Sequence, residues 1–279
     1  MFSRPFAQHR AVSAPAQDRD DRSPFRGAFD TAESTLLVSF EERRAAQLRL
    51  SAAQRRLVQR FVEALFEDAS ERCADMVETV LDECGDTQQV ALLLFNPAAL
   101  LLERQWLRDE CDFLQMTIVV SRMQRLFRQM VAEHPPVGRP DVTRCALLVP
   151  APGDQHSLGL VIVDDALTRA GWSVDCASAG GRTDMFRLAA SNDYKIIGIS
   201  VSGLHALPGL ASVLARLRRK SLNASVVLMA GGNQAASDPQ SVLEIGFDVV
   251  AVDARSAVRL AESAVSNGID CAAAAMAAE

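Results

Sequence analysis

The chain has 279 residues, of which 49% are hydrophobic and 23% are charged, and this balance excludes a wholly disordered or fibrous protein. At roughly 150 residues per domain, the length predicts two structural units. The formal net charge of −6 argues against a protein that coats nucleic acid, because that task requires a strongly basic surface.

No two of the six cysteines form a Cys-x-x-Cys pair, the spacing that binds zinc or exchanges disulfides. The longest apolar runs, such as Val90 to Phe95, are far shorter than the roughly 20 residues that cross a bilayer. Residues 1–33 contain no apolar stretch typical of a signal peptide. We therefore expect a cytoplasmic protein that does not bind membranes.

The first half of the chain predicts an arm followed by a helical bundle. Residues 1–50 form the arm and its lead-in, because residues 1–33 mix charges and prolines with few large aliphatic side chains. Apolar residues recur at helical spacing through residues 51–133, which predicts a bundle. Three prolines within residues 134–141 then predict an extended linker and a domain boundary.

Local signals divide the bundle into helices. The first helix is expected from Ser51, and the second begins with Ser70 as its N-cap and stops near Gly85. Asn96-Pro97 is expected to interrupt the chain before two further helices, Ala98–Cys111 and Phe113–Glu133.

Residues 142–268 show a different pattern, and residues 269–279 form an alanine-rich tail. Short apolar segments alternate here with helical stretches, which predicts a doubly wound, Rossmann-like or flavodoxin-like parallel sheet. The fold class is therefore α/β with an N-terminal α-helical cap. The five predicted strands are Cys145–Val149, Trp172–Cys176, Ile196–Ser200, Val226–Ala230 and Val249–Val252.

Polar residues and glycines follow three of these strands. Ligands of such sheets bind beyond the carboxyl ends of the strands, so these loops are the expected site. Asp154 and His156 follow the first strand, and a carboxylate that binds the second ring nitrogen is the usual partner of a metal-ligating histidine. Ser202-x-Leu204 follows the third strand, and Gly231-Gly232 ends the fourth, where glycines leave room for a bulky ligand.

The spacing of these residues resembles a known signature. Asp154-x-His156-x-x-Gly159, then 42 residues, Ser202-x-Leu204, 26 residues and Gly231-Gly232 are similar to the cobalamin-binding domains of the methionine synthase type. In that family the histidine replaces the dimethylbenzimidazole of the cofactor and ligates cobalt from below. The resemblance implies His156 as the lower axial ligand, Asp154 and Ser202 as its hydrogen-bonding relay, and a pocket for the nucleotide tail formed by Gly159, Ser202, Leu204, Gly231 and Gly232.

The same resemblance gives the helical bundle a role, because a helical cap covers the upper face of the corrin in many such proteins. Trp106 would then lie against the ring, and the alternative is an ordinary core aromatic. Light-sensing repressors that use adenosylcobalamin carry Glu-His ten residues after this tryptophan, whereas Met116-Thr117 stand here. The difference favours hydroxo- or aquocobalamin over the adenosyl form.

Other ligands of the metal remain open at this stage. A haem-binding domain of the same fold is an alternative, because an exposed histidine also ligates iron. His9 on the arm is a candidate for the upper axial ligand. His134, beside the linker prolines, and His205, directly after Leu204, are weaker candidates.

The cap segment Ala98 to Gln124 resembles that of the cobalamin-binding antirepressors of purple photosynthetic bacteria, the AerR/PpaA type. This implies a light-responsive regulator that is not an enzyme and that relieves repression of photosynthesis genes through a DNA-binding repressor protein. A corrinoid methyl carrier for a methyltransferase is the alternative. A repressor that binds DNA itself is disfavoured, because residues 1–50 leave little room for a helix-turn-helix.

Two groups of basic residues are expected to be solvated helix faces, with weak or indirect contact to DNA or a partner as the alternative. They are Arg122, Arg125 and Arg128 in the last helix of the cap, and Arg216, Arg218, Arg219 and Lys220 in the sheet domain.

Overall fold

The computed structural model describes residues 50–154, 158–177 and 184–276, and it describes Leu107, His205 and residues 267–276 by their backbone alone. Two residues predicted to bind cobalt, His9 and His156, lie outside the described residues. Within the described ranges, no helix has both the length and the apolar character needed to cross a membrane.

Residues 52–133 are helical almost throughout. The first helix begins at a capping box, in which the Gln54 N–H donates to Ser51 Oγ at 3.2 Å and the Ser51 N–H donates to Gln54 Oε1 at 2.9 Å. The elements are α1 (Ala52–Phe66), α2 (Ser70–Cys84), α3 (Thr87–Val90), a π-helical turn (Ala91–Phe95), α4 (Asn96–Leu107) and α5 (Phe113–Glu133).

The predicted N-cap of α2 is wrong by one residue. Ala69 is the N-cap and Ser70 is the first helical residue, without a capping side-chain hydrogen bond. The reason is a sharp turn at Asp68, which has a φ of 59° and whose carbonyl accepts from the Ser70 N–H at 2.9 Å. The helix ends as predicted at Gly85, whose φ of 67° is the left-handed conformation that glycine adopts without strain.

The predicted break at Asn96-Pro97 does not occur. The chain continues from α3 through the π-helical turn into α4, and the Asn96 N–H donates to the Ala91 carbonyl, five residues back. Pro97 lies in the first turn of α4, where its missing N–H costs least. The helix instead ends at Leu107, before the predicted Cys111, because the chain turns at Asp109, which has a φ of 54°.

Residues 141–250 form a parallel sheet with the strand order β2-β1-β3-β4-β5, which confirms the predicted fold class. Chain order reverses between β1 and β3, and this switch point is where flavodoxin-like sheets open a crevice for ligands. The first strand begins earlier than predicted. The strands are β1 (Asp141–Pro150), β2 (Trp172–Cys176), β3 (Ile196–Ser200), β4 (Val227–Gly231) and β5 (Val249–Val250).

Helices cover both faces of the sheet. One face packs against α8 and α10, through buried residues such as Leu214 and Val242, and the other packs against α6 and α11, through Leu167 and Leu260. The helices of this half are α6 (Leu158–Arg169), α7 (Met185–Ser191), α8 (Leu210–Lys220), α9 (Asn233–Ser237), α10 (Pro239–Ile245) and α11 (Ala254–Met276), with a 3-10 turn at Leu204–Ala206.

Helix α6 also joins the two halves of the molecule. Its residues Leu158 and Ile162 belong to the buried core of the helical half, which is centred on the packed rings of Phe61, Phe95 and Phe127. The helical half therefore packs directly on the helix that follows the loop containing His156.

A buried carboxylate reinforces this contact. Asp165 of α6 is 5% exposed, and its Oδ2 accepts from Thr87 Oγ1 at 3.0 Å and from Gln88 Nε2 at 2.5 Å. Arg169 Nε, one turn later, lies 2.9 Å from Oδ1 of the same carboxylate. Every one of these partners is polar or positively charged, so the buried negative charge is compensated.

Candidate functional site

Three strands of the sheet end side by side. Pro150 of β1 pairs with Ser200 of β3, and Ser200 pairs with Gly231 of β4. The ladder continues one residue further, because the Ala151 N–H donates to the Ser200 carbonyl at 2.8 Å and the Val201 N–H donates to the Gly231 carbonyl at 2.7 Å. The three loops that carry the predicted site residues therefore leave the sheet at one level, which we call the rim.

Asp154 ties two of these loops together. It is fully buried, and its Oδ2 accepts the backbone N–H of Ser202 at 2.8 Å. Its own N–H donates to the Ala151 carbonyl at 2.9 Å, which closes a tight turn after β1. These two hydrogen bonds, one from the side chain and one from the backbone, fix Asp154 at the switch point. His156, two residues later, lies outside the described residues, and its role stays a prediction.

The two glycines at the end of β4 serve different purposes. Gly232 has a φ of 92°, and a β-carbon there would lie 2.6 Å from the Val201 carbonyl oxygen, so the fold itself requires glycine. At Gly231 the nearest atom to an added β-carbon is the Ala251 carbonyl oxygen, at 3.8 Å. An added β-carbon at Gly159, in the first turn of α6, has no neighbour within 4 Å. The fold therefore does not itself require glycine at position 231 or 159 for lack of space.

Two exposed apolar side chains border the rim. Leu204, in the 3-10 turn after β3, is 71% exposed. Trp106, at the end of α4, is 41% exposed, so the alternative that it is an ordinary core aromatic is wrong. Its ring packs edge-on against Phe113, which is 69% exposed, with 6.5 Å between the ring centroids.

A contact that the sequence did not signal brings α4 to the rim. Asn233, directly after Gly232, donates from its side-chain amide to Glu103 Oε1 at 2.5 Å. Glu103 lies three residues before Trp106, on the same side of α4. Neither Glu103 nor Asn233 belongs to a motif, and only the packing of the helical half against the sheet reveals them.

The histidines outside the motif are placed at different edges. The His134 carbonyl accepts from Arg169, at the end of α6, and a crossover helix ends at the amino edge of a parallel sheet. His134 is therefore at the edge opposite the rim, which removes it as an axial ligand. His205 lies in the 3-10 turn at the rim, and its side chain is outside the described part of the structure.

Three of the basic residues serve the fold. Arg122 donates to the Leu65 carbonyl at 2.7 Å and pairs with Asp68 at 3.0 Å, so it caps the carboxyl end of α1. Arg218 pairs with the buried carboxylate of Asp248 at 2.7 Å, and the guanidinium of Arg216 lies over the ring of Phe186. For Arg122 and Arg218 the expectation of a merely solvated face is wrong, whereas Arg216 is exposed as expected.

Comparison with known proteins identifies the class. Residues 144–261 match the B12 binding domain family. The match covers all five strands except the first residues of β1, and it includes every predicted site residue of the rim. The sheet half of this chain is therefore a B12-binding domain, as the spacing of Asp154, His156 and the later motifs predicted.

A relative that matches more than the sheet half shows which family the chain belongs to. An uncharacterized 20.5 kDa protein in the bchF-crtJ intergenic region of Rhodobacter capsulatus is 30% identical over 169 residues, which are 60% of this chain and 86% of that protein. This chain belongs to the same family as that protein. The fold is also that of the monomethylamine corrinoid protein of Methanosarcina barkeri, with a TM-score of 0.60, 15% identity and coverage of 74% of this chain and 97% of that one.

The described residues of the rim fit a corrinoid. An added β-carbon fits at both Gly159 and Gly231, and the buried Asp154 is held two residues before His156 in the sequence. Leu204 follows β3, Trp106 lies three residues after the Glu103 that binds Asn233, and both are exposed apolar side chains. These features suit a large, flat ligand with an extended tail better than a small metabolite.

Proposed function

We propose that this chain binds cobalamin in the base-off form and works as a light-responsive antirepressor, acting through a DNA-binding repressor protein and catalysing no reaction itself. The observation that carries the cofactor assignment is the buried Asp154, bound to the Ser202 N–H two residues before His156. A fixed carboxylate at this place is the partner that a metal-ligating imidazole needs.

Each rim residue has a task in this proposal. His156 would bind the cobalt, and Asp154 would hold its imidazole in the correct tautomer. Gly159 and Gly231 would leave room for the nucleotide tail beside Ser202 and Leu204, and Gly232 allows the close approach to Val201 that shapes this end of the pocket. Trp106 covers part of the opposite side, and His9 is the candidate for the upper ligand. The hydroxo form expected here has no cobalt–carbon bond, so when bound it would supply a cobalt that exchanges a ligand. Light would act earlier, by converting an alkylcobalamin in solution into the form that binds.

The regulatory role is supported by kinship and by the basic residues. The related protein of Rhodobacter capsulatus is encoded in the bchF-crtJ intergenic region. Arg122, Arg216 and Arg218 are engaged within this fold, which disfavours direct DNA binding through these three residues. Binding of the ligand between the helical half and the rim would change the surface that the partner meets.

The corrinoid methyl carrier is the second candidate, and it is favoured by one observation. The fold matches that of the monomethylamine corrinoid protein over 97% of its length. A carrier must present its upper face to successive methyltransferases, whereas a sensor must change its affinity for a partner. The two candidates therefore differ in what the loaded protein does, and they share the base-off site.

Absorption spectroscopy tests the cofactor assignment. Purified protein is mixed in the dark with hydroxocobalamin, adenosylcobalamin, methylcobalamin or haemin, desalted, and measured before and after illumination. We expect retention of hydroxocobalamin with a spectrum that His156→Ala lacks. Retention of haemin alone, or of no corrinoid, would overturn the assignment.

A gel-shift assay tests the regulatory role. The repressor encoded nearest to this chain's gene is bound to its own operator DNA, and cobalamin-loaded protein is added in the dark or in the light. Release of the DNA only by the loaded protein would support the antirepressor. No release, together with methyl transfer from the methylcobalamin-loaded protein to an added thiol by a neighbouring methyltransferase, would support the carrier.

A further inference from the structure

The hydrogen bond between Asn233 and Glu103 lies beside the proposed ligand site. The amide of Asn233 donates to Glu103 Oε1 at 2.5 Å, and Asn233 directly follows the glycine pair. Glu103 lies less than one helical turn before Trp106. The bond therefore joins the rim to α4, and a ligand that bound between these two elements would have to replace it.

This bond is exposed, whereas a second attachment between the two halves is buried. At α6, the carboxylate of Asp165 is shielded from water and accepts from Thr87 and Gln88. A buried carboxylate cannot lose its donors without a large penalty, but water readily replaces either partner of an exposed hydrogen bond. Of these two attachments, the bond at the rim is the one that can be exchanged for a ligand.

The two side chains are chemically matched to the edge of a corrin, which carries primary amide side chains around its periphery. A carboxylate such as Glu103 accepts strongly from an amide N–H. Asn233 has both an amide donor and a carbonyl acceptor, so it can pair with an amide in either direction. In the ligand-free molecule Glu103 and Asn233 bind each other. Each therefore uses the same polar group that would otherwise bind an amide of the ligand.

We propose that Glu103 and Asn233 form a latch that cobalamin exchanges on binding: the hydrogen bond between them breaks, and each then binds an amide side chain of the corrin. The inference rests on the proposed function, since it requires that the chain bind cobalamin. It adds two binding residues that lie outside the Asp-x-His, Ser-x-Leu and Gly-Gly motifs.

The test uses hydroxocobalamin and its three monocarboxylic derivatives, in which one propionamide has been hydrolysed to a propionate. Affinities are measured in the dark by spectral titration. For wild type, we expect one derivative to bind about tenfold more weakly than hydroxocobalamin, because its carboxylate then faces that of Glu103. Glu103→Gln removes this repulsion and is expected to restore binding of that one derivative, while Asn233→Ala weakens binding of hydroxocobalamin about tenfold.

A matched control comes from α10, where Glu244 accepts from the exposed amide of Gln240 at 3.1 Å. Glu244→Gln is expected to leave all four affinities unchanged. One result would overturn the latch. Wild type would bind hydroxocobalamin with the His156-dependent spectrum, but Glu103→Gln and Asn233→Ala would bind all four corrinoids with the affinities of wild type. If wild type retains no cobalamin at all, that result contradicts the proposed function, and the latch is then contradicted as well.

Discussion

The carboxylate of Asp154 and the backbone N–H of Ser202 are joined by a hydrogen bond of 2.8 Å that links the loop after β1 to the loop after β3. These two strands flank the switch point of the sheet, where chain order reverses. Because Asp154 is fully buried, the bond is protected from competition by water. It holds the two loops together two residues before His156 in the sequence.

Replacing Asp154 should therefore loosen both loops. Asp154→Ala leaves the Ser202 N–H without this acceptor, and we expect it to lower the free energy of unfolding by about 1–3 kcal/mol. Asp154→Asn retains an acceptor oxygen and should lose less. Urea denaturation followed by circular dichroism compares the two, and equal stability of Asp154→Ala and wild type would show that the bond contributes nothing.

Substitutions at the two adjacent glycines, Gly231 and Gly232, should have different effects on stability and on ligand binding. Gly232→Ala places a β-carbon against the backbone of Val201 at a positive φ, so we expect a loss of about 1–3 kcal/mol in unfolding free energy. Gly231→Ala has room in the ligand-free fold and should keep its thermal midpoint, yet bind hydroxocobalamin more weakly. Unchanged binding by Gly231→Ala would mean that the ligand does not use this space.

Two neighbouring aspartates on α6 should differ sharply in their contribution to stability. Asp165→Asn removes the buried charge that faces Arg169, and we expect a loss of about 3 kcal/mol. Burial raises the pKa of the neighbouring Asp164, so its charge is disfavoured in the folded protein. Asp164→Asn should therefore leave the stability at neutral pH unchanged or slightly higher.

The measurement is urea denaturation at neutral pH, where both aspartates are charged in the unfolded chain. A raised pKa in the folded state means that protonation of Asp164 favours folding, so the stability advantage of Asp164→Asn should shrink as the pH falls. A loss at Asp164 equal to that at Asp165 would contradict the assignment of Asp165 as the link between the two halves.

The basic end of α8 gives a further test. Arg218→Ala leaves the carboxylate of Asp248 buried without its cation, and we expect a loss of about 3–5 kcal/mol. Arg219→Ala, on the exposed side of the same helix, should change stability by less than about 0.5 kcal/mol. Thermal unfolding of the two variants and of wild type measures these differences in stability. Similar losses of stability in both variants would contradict a special role for Arg218.

Some elements follow from short-range pattern alone. The predicted strands Trp172–Cys176 and Ile196–Ser200 have the bounds that the structure shows, because runs of β-branched and apolar residues between turns encode a buried strand locally. The prediction fails where a neighbouring turn changes the effect that a residue has on the helix. Pro97 does not interrupt its helix, since the π-helical turn before it places the proline where no N–H is needed.

The sequence by itself determined the alternation of strands and helices, the family, and the loops in which Asp154, Ser202 and the glycine pair lie. All of these depend on residue types at fixed spacing along the chain. Only the tertiary structure decided that Glu103 meets Asn233, 130 residues away, and that Asp165 binds Thr87 across the two halves. The physical reason is that such contacts depend on how whole helices pack, and no local spacing in the chain encodes that packing.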